Sequence, residues 1–90
     1  GNPKACVQFH RDLVYPAICF AAPLLAPQPG DVWTGTPPLA FTFGLGGLLL
    51  FPLYFRGTAL MLADASPAGL LAAIARHGVA HLFTAPTAYK

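Results

Sequence analysis

Apolar residues recur along the chain at two different spacings. In residues 12–24 they lie three or four positions apart, which predicts a helix with Asp12 as its N-cap. Pro16 is tolerable near the start of this helix, whereas Pro23 is expected to end or bend it. Residues 6–9 alternate between apolar and polar side chains instead, which predicts a short strand.

The rest of the chain continues this alternation of strands and helices. Strands are predicted at residues 32–36, 58–62 and 79–83, and the second of them is expected to be buried. Residues 39–44 are predicted to be a loop, and helices are predicted at residues 45–53, from Ser66–Pro67 to Gly78, and from Pro86 onward. This order predicts the α/β class, with a mostly parallel sheet flanked by helices.

The composition is unusually apolar for a chain of 90 residues. Hydrophobic residues make up 56% and charged residues only 9%, whereas an average soluble domain has about 25% charged residues. A small independent domain needs polar residues to cover its surface. We therefore expect residues 1–90 to be a partial domain, truncated at both ends, from the interior of a larger protein, or else a membrane segment.

The membrane alternative depends on the uncharged run at residues 37–55, which is close to the length of about 20 residues that spans a bilayer as a helix. Prolines at both ends of this run and glycines within it disfavour one continuous helix. The neighbouring strands and helices also favour an α/β core. We therefore predict no membrane span.

Other residue types exclude several kinds of site. The net charge of +2 comes from scattered side chains without a basic patch, which argues against a nucleic-acid partner. Cys6 and Cys19 have no metal-ligand spacing and are expected to be small buried residues in a reducing compartment, which predicts a cytoplasmic location. His10, His77 and His81 have no metal-like spacing, and no nucleophile–base arrangement identifies a catalytic residue.

The first four residues, Gly1, Asn2, Pro3 and Lys4, combine a turn sequence with a lysine. Such a turn leaves backbone N–H groups open to an anion, and the lysine adds a mobile positive charge. These features suit a phosphate-binding turn, although the same residue types also form ordinary solvated turns.

Three sequence motifs, in this order along the chain, favour the phosphate-binding interpretation of this turn. They are GNPKACVQFHRDL at residues 1–13, PLAFTFGLGG at residues 38–47 and LFTAPT at residues 82–87. Together they resemble the acyl-activating, AMP-forming (adenylate-forming) synthetase superfamily, and the middle string most resembles benzoate- and 2-aminobenzoate-CoA ligases. The resemblance covers essentially the whole chain, with Ala5 where that superfamily usually has glycine.

The resemblance implies a fragment of the large N-terminal domain of an adenylate-forming enzyme. It implies that Gly1, Asn2, Pro3 and Lys4 belong to the loop around the β- and γ-phosphates of ATP. The carboxylate of the substrate acid would attack the α-phosphorus, giving acyl-AMP and pyrophosphate, and the acyl group would then pass to CoA. The resemblance also implies Mg²⁺, whose ligands are expected outside these residues.

The middle string is expected to line the pocket for the carboxylic acid. The resemblance assigns to Phe41 the position that is His or aromatic in the superfamily, and Phe there would act sterically because it cannot donate a hydrogen bond. The alternative for Phe41 is a core residue. Thr42, Phe43 and Gly44 are expected to line the same pocket, with Phe83 closing it from another strand end. Aromatic walls favour a flat acid such as benzoate, although a medium-chain fatty acid would suit the same chemistry.

The sequence is therefore compatible with three functions. The favoured one is part of an ATP-dependent acid–thiol ligase, an acyl-CoA synthetase. The alternatives are a peptide-synthetase-type adenylation domain, which would load a carrier protein, and a non-catalytic membrane hairpin. No feature of the sequence indicates an oligomeric state.

The 90 residues produced alone are expected to be inactive and poorly soluble, because the sheet would have uncovered edges and apolar faces. Size-exclusion chromatography, denaturant unfolding and an acid-dependent pyrophosphate-exchange assay test this expectation. A monomeric product that unfolds cooperatively would contradict it.

Overall fold

Three short runs rich in β-branched and aromatic residues form one parallel sheet in the computed structural model, which describes residues 1–90. Strand β1 spans Val32–Gly35, β2 spans Thr58–Ala59 and β3 spans Val79–Phe83. Their order is β2-β1-β3, and β1 pairs in parallel with both neighbours. The predicted α/β class and parallel sheet are therefore confirmed.

Two helices that each contain a proline accompany the sheet. Helix α1 (residues 11–25) consists of the segments Arg11–Pro16, Ala17–Ala21 and Ala22–Leu25. Helix α2 (residues 42–54) consists of Thr42–Leu45, Gly46–Leu50 and Phe51–Tyr54.

The middle segment of each helix is a π-helical turn, and a proline follows two residues after it, at Pro23 and Pro52. Proline lacks an N–H and its ring crowds the carbonyl one turn back, so a wider turn accommodates it. Helix α1 passes through Pro23 for this reason and ends at Leu25, before Ala26 with φ of 44°.

The third helix, α3 (Pro67–His77), follows its sequence signals closely. The Ser66 hydroxyl accepts a hydrogen bond from the N–H of Gly69 at 3.1 Å, and Gly78 ends the helix with φ of 61°. A serine cap of this kind contributes about 1 kcal/mol to helix stability. A short 3₁₀ helix, Pro86–Tyr89, starts at the proline where a helix was predicted.

The helices lie on both faces of the sheet. Trp33 of β1 is fully buried in a cluster with Ala17, Ala21 and Phe51, so α1 and α2 cover its face. Helix α3 shares a groove with Leu82, which points away from the neighbouring Phe83 because strand side chains alternate. None of the helices has the length and apolarity that crossing a membrane requires.

Four details of the sequence-based prediction were wrong. Residues 1–9 form no strand and are exposed, because no neighbouring strand lies beside residues 6–9 to pair with them. Strand β2 is shorter than predicted, because only Thr58 and Ala59 pair with β1, and it is exposed. Helix α2 begins at Thr42, inside the predicted loop. His10, not Asp12, is the N-cap residue of α1, and the Asp12 carboxylate accepts the N–H of Phe9 instead.

Much apolar surface remains uncovered in the chain. Only 11 of the 90 residues are buried, and large side chains such as Val7, Leu24 and Leu71 are mostly exposed. Cys6 and Cys19 are exposed too, so the expectation that they are buried was wrong. Exposed apolar patches mark interaction sites, ligand-binding grooves or aggregation-prone surfaces.

Candidate functional site

The carboxyl ends of β1 and β3 lie side by side. Gly35 pairs with Phe83, and the N–H of Thr36 donates to the Phe83 carbonyl at 3.0 Å. Beyond them the hydroxyls of Thr36 and Thr84 share a hydrogen bond of 2.8 Å. Open parallel sheets bind their ligands beyond the carboxyl ends of the strands, so this end of the sheet is the candidate site.

Phe43 and Phe83 form what we call the aromatic wall at this end of the sheet. Their rings meet edge to face, with centroids 5.7 Å apart and an interplanar angle of 71°. Phe83 is stacked with Trp33 at 6.1 Å and tilted against Phe51 at the same distance. The core therefore supports Phe83 from behind, while Phe43 is half exposed in front of it.

Two glycines of α2 allow this close packing. The Phe83 ring lies against Gly47, where an added Cβ would be 2.6 Å from Cγ of that ring. Gly44 is buried, and a Cβ there would collide with the backbone carbonyl of Pro38. Gly47 has no side chain to keep the phenyl ring away, and Gly44 lets the preceding loop pack onto the helix.

The other predicted pocket residues of α2 lie apart from the aromatic wall. Phe41, the residue before the helix, is 65% exposed and makes no ring contact with Phe83. Thr42 faces the helix groove, a cleft of about 480 Å³ between α1 and α2. Gln8 and Asp12 line the opposite side of that groove. Of the predicted pocket residues, Phe43 and Phe83 therefore form the aromatic wall and Thr42 lines the helix groove, whereas Phe41 and the buried Gly44 belong to neither surface.

The predicted phosphate turn lies a few residues before the first residue of the helix groove in the sequence. Gly1, Asn2, Pro3 and Lys4 are exposed and have no regular secondary structure. Lys4 precedes Gln8 by four residues, a stretch that spans at most about 14 Å. Open backbone N–H groups and a free lysine suit the phosphates of ATP, whereas the chain has no group of three His, Cys, Asp or Glu that could hold Mg²⁺.

A polar pair also contacts Trp33. His81 of β3 lies over the indole of Trp33 at 3.9 Å between ring centroids, and its Nε2 hydrogen-bonds the Asp31 carboxylate at 2.8 Å. The pKa of Asp31 is lowered, chiefly because the carboxylate accepts the backbone N–H of Gln28 and also because of the bond to His81. Asp31 thereby ties the turn before β1 to the neighbouring strand.

Some features of this site escaped the sequence analysis. Thr36, Gly47 and Thr84 were not singled out, although each threonine directly follows a predicted strand or closes one. That position is a usable signal for residues at the ligand-binding edge of a sheet. The pairing of Asp31 with His81 depends on strand order, which single-residue spacing does not reveal.

Comparisons with known proteins define the class. The family model of AMP-binding enzymes matches residues 1–90, and the chain therefore belongs to this family. It is 37% identical over 90 residues to the benzoate–CoA ligase of Thauera aromatica, covering 99% of the chain and 17% of that relative. The resemblance found in the sequence is thus confirmed at the level of the family.

Two further relatives are also CoA-using enzymes by name. The chain is 36% identical over 67 residues to the anthranilate–CoA ligase of Pseudomonas aeruginosa, covering 74% of the chain and 13% of that relative. It is 38% identical over 69 residues to the human mitochondrial acyl-CoA synthetase short-chain family member 3, covering 70% of the chain and 10% of that relative. The chain spans less than a fifth of the length of these relatives. No solved structure matches it significantly.

The lowered pKa of Asp31 predicts an acid-dependent loss of stability. The folded state favours the ionised Asp31 carboxylate. The contribution of this carboxylate to the free energy of unfolding is therefore present above the ordinary pKa of 3.8 and is lost as the pH falls through the lowered pKa. In the complete protein that contains this chain, Asp31→Asn should lower the thermal midpoint at pH 6 by more than it does at pH 3. Thermal unfolding of both proteins across this range measures the difference, and an equal difference at both pH values would contradict the prediction.

Proposed function

We propose that the chain is part of an ATP-dependent acid–thiol ligase that activates a carboxylic acid, preferably an aromatic one, and transfers it to CoA. The proposal is supported above all by the family match over residues 1–90. The names of the relatives, two of them ligases of benzoate and anthranilate, support the choice of acid.

The aromatic wall supplies the structural argument for an aromatic acid. Phe43 and Phe83 offer an apolar aromatic surface at the carboxyl ends of the parallel strands, with their rings edge to face. A planar ring packs on such a surface edge-on or offset, burying a large apolar area.

The proposed chemistry has two steps. The carboxylate oxygen of the acid attacks the α-phosphorus of ATP, a P–O bond breaks, and pyrophosphate leaves with the bonding electrons. The thiol of CoA then gives up its proton to solvent, its sulfur attacks the acyl carbon, and the C–O bond to the phosphate breaks, so that AMP leaves with the bonding electrons. Catalysis of this kind depends mainly on positioning and on charge stabilisation.

In this scheme the residues of the chain bind and orient substrates. Gly1, Asn2, Pro3 and Lys4 would hold the β- and γ-phosphates, with backbone N–H groups and one ammonium group facing the developing negative charge. Mg²⁺, when bound, would neutralise phosphate charge through ligands elsewhere in the protein. We assign no proton-transferring residue to this chain. Its two free cysteines suit a reducing compartment such as the cytoplasm.

Pyrophosphate exchange by the complete protein tests the proposal. Benzoate or 2-aminobenzoate should support the fastest exchange, octanoate slower exchange, and amino acids none, because only an acid that forms an adenylate returns label from pyrophosphate to ATP. Exchange with amino acids and loading of a carrier protein would favour a peptide-synthetase-type domain instead. Exchange with no acid at all would overturn the proposal.

Lys4→Ala should lower the exchange rate at least about tenfold and raise the KM for ATP, since a lost charge-assisted hydrogen bond costs about 1.5–3 kcal/mol. Lys4→Arg keeps the charge and should retain more activity. Lys90→Ala, the same change at the other lysine of the chain, is the matched control and should leave the exchange rate unaltered. Equal rates for Lys4→Ala and Lys90→Ala would contradict the assigned role.

A further inference from the structure

We draw no further inference here: the strongest candidate, the apolar groove that helix α3 and strand β3 form with Leu70, Ile74 and Leu82 beside Thr84, is an unpartnered face, and nothing in the structure shows what covers it.

Discussion

The close approach of helix α2 to strand β3 is the constraint on which the candidate site depends. Gly47 lies beneath the Phe83 ring at this contact, where a side chain would clash. Glycine also occupies two neighbouring points of close packing, Gly35 of β1 beside the Phe83 carbonyl and Gly44 beside the loop before the helix. This approach seats Phe83 against Trp33, whose indole also contacts His81, and His81 in turn hydrogen-bonds Asp31. The aromatic wall is thus an extension of the buried core to the ligand-binding edge of the sheet.

Local chemistry predicted those parts of the fold that need few distant partners. Ser66, Pro67 and Gly78 mark the ends of α3 because capping and left-handed backbone act within one turn. Strands β1 and β3 followed from short apolar runs. Residues 6–9 show the limit of this reasoning: their alternation is that of a strand, but a strand forms only where a neighbour satisfies its backbone groups, and none lies beside them.

The sequence predicted which kind of site the chain contributes to, but not how the residues of the site are arranged. The motif strings led to the AMP-binding family, which the comparisons confirm. Residue types alone did not separate Thr42, on the side of the helix groove, from Phe43, on the side of β3, because that division depends on where α2 begins. The importance of Gly47 depends equally on the parallel pairing of β1 with β3, which brings a residue distant in sequence onto the helix.

The position of the bound acyl group is the central structural question. A crystal structure of the complete protein with a non-hydrolysable benzoyl-adenylate analogue measures this position. We expect the benzoyl ring within about 4.5 Å of the rings of Phe43 and Phe83, the distance of an apolar contact. A benzoyl ring lodged instead between α1 and α2, against Thr42 and Gly46, would contradict the account.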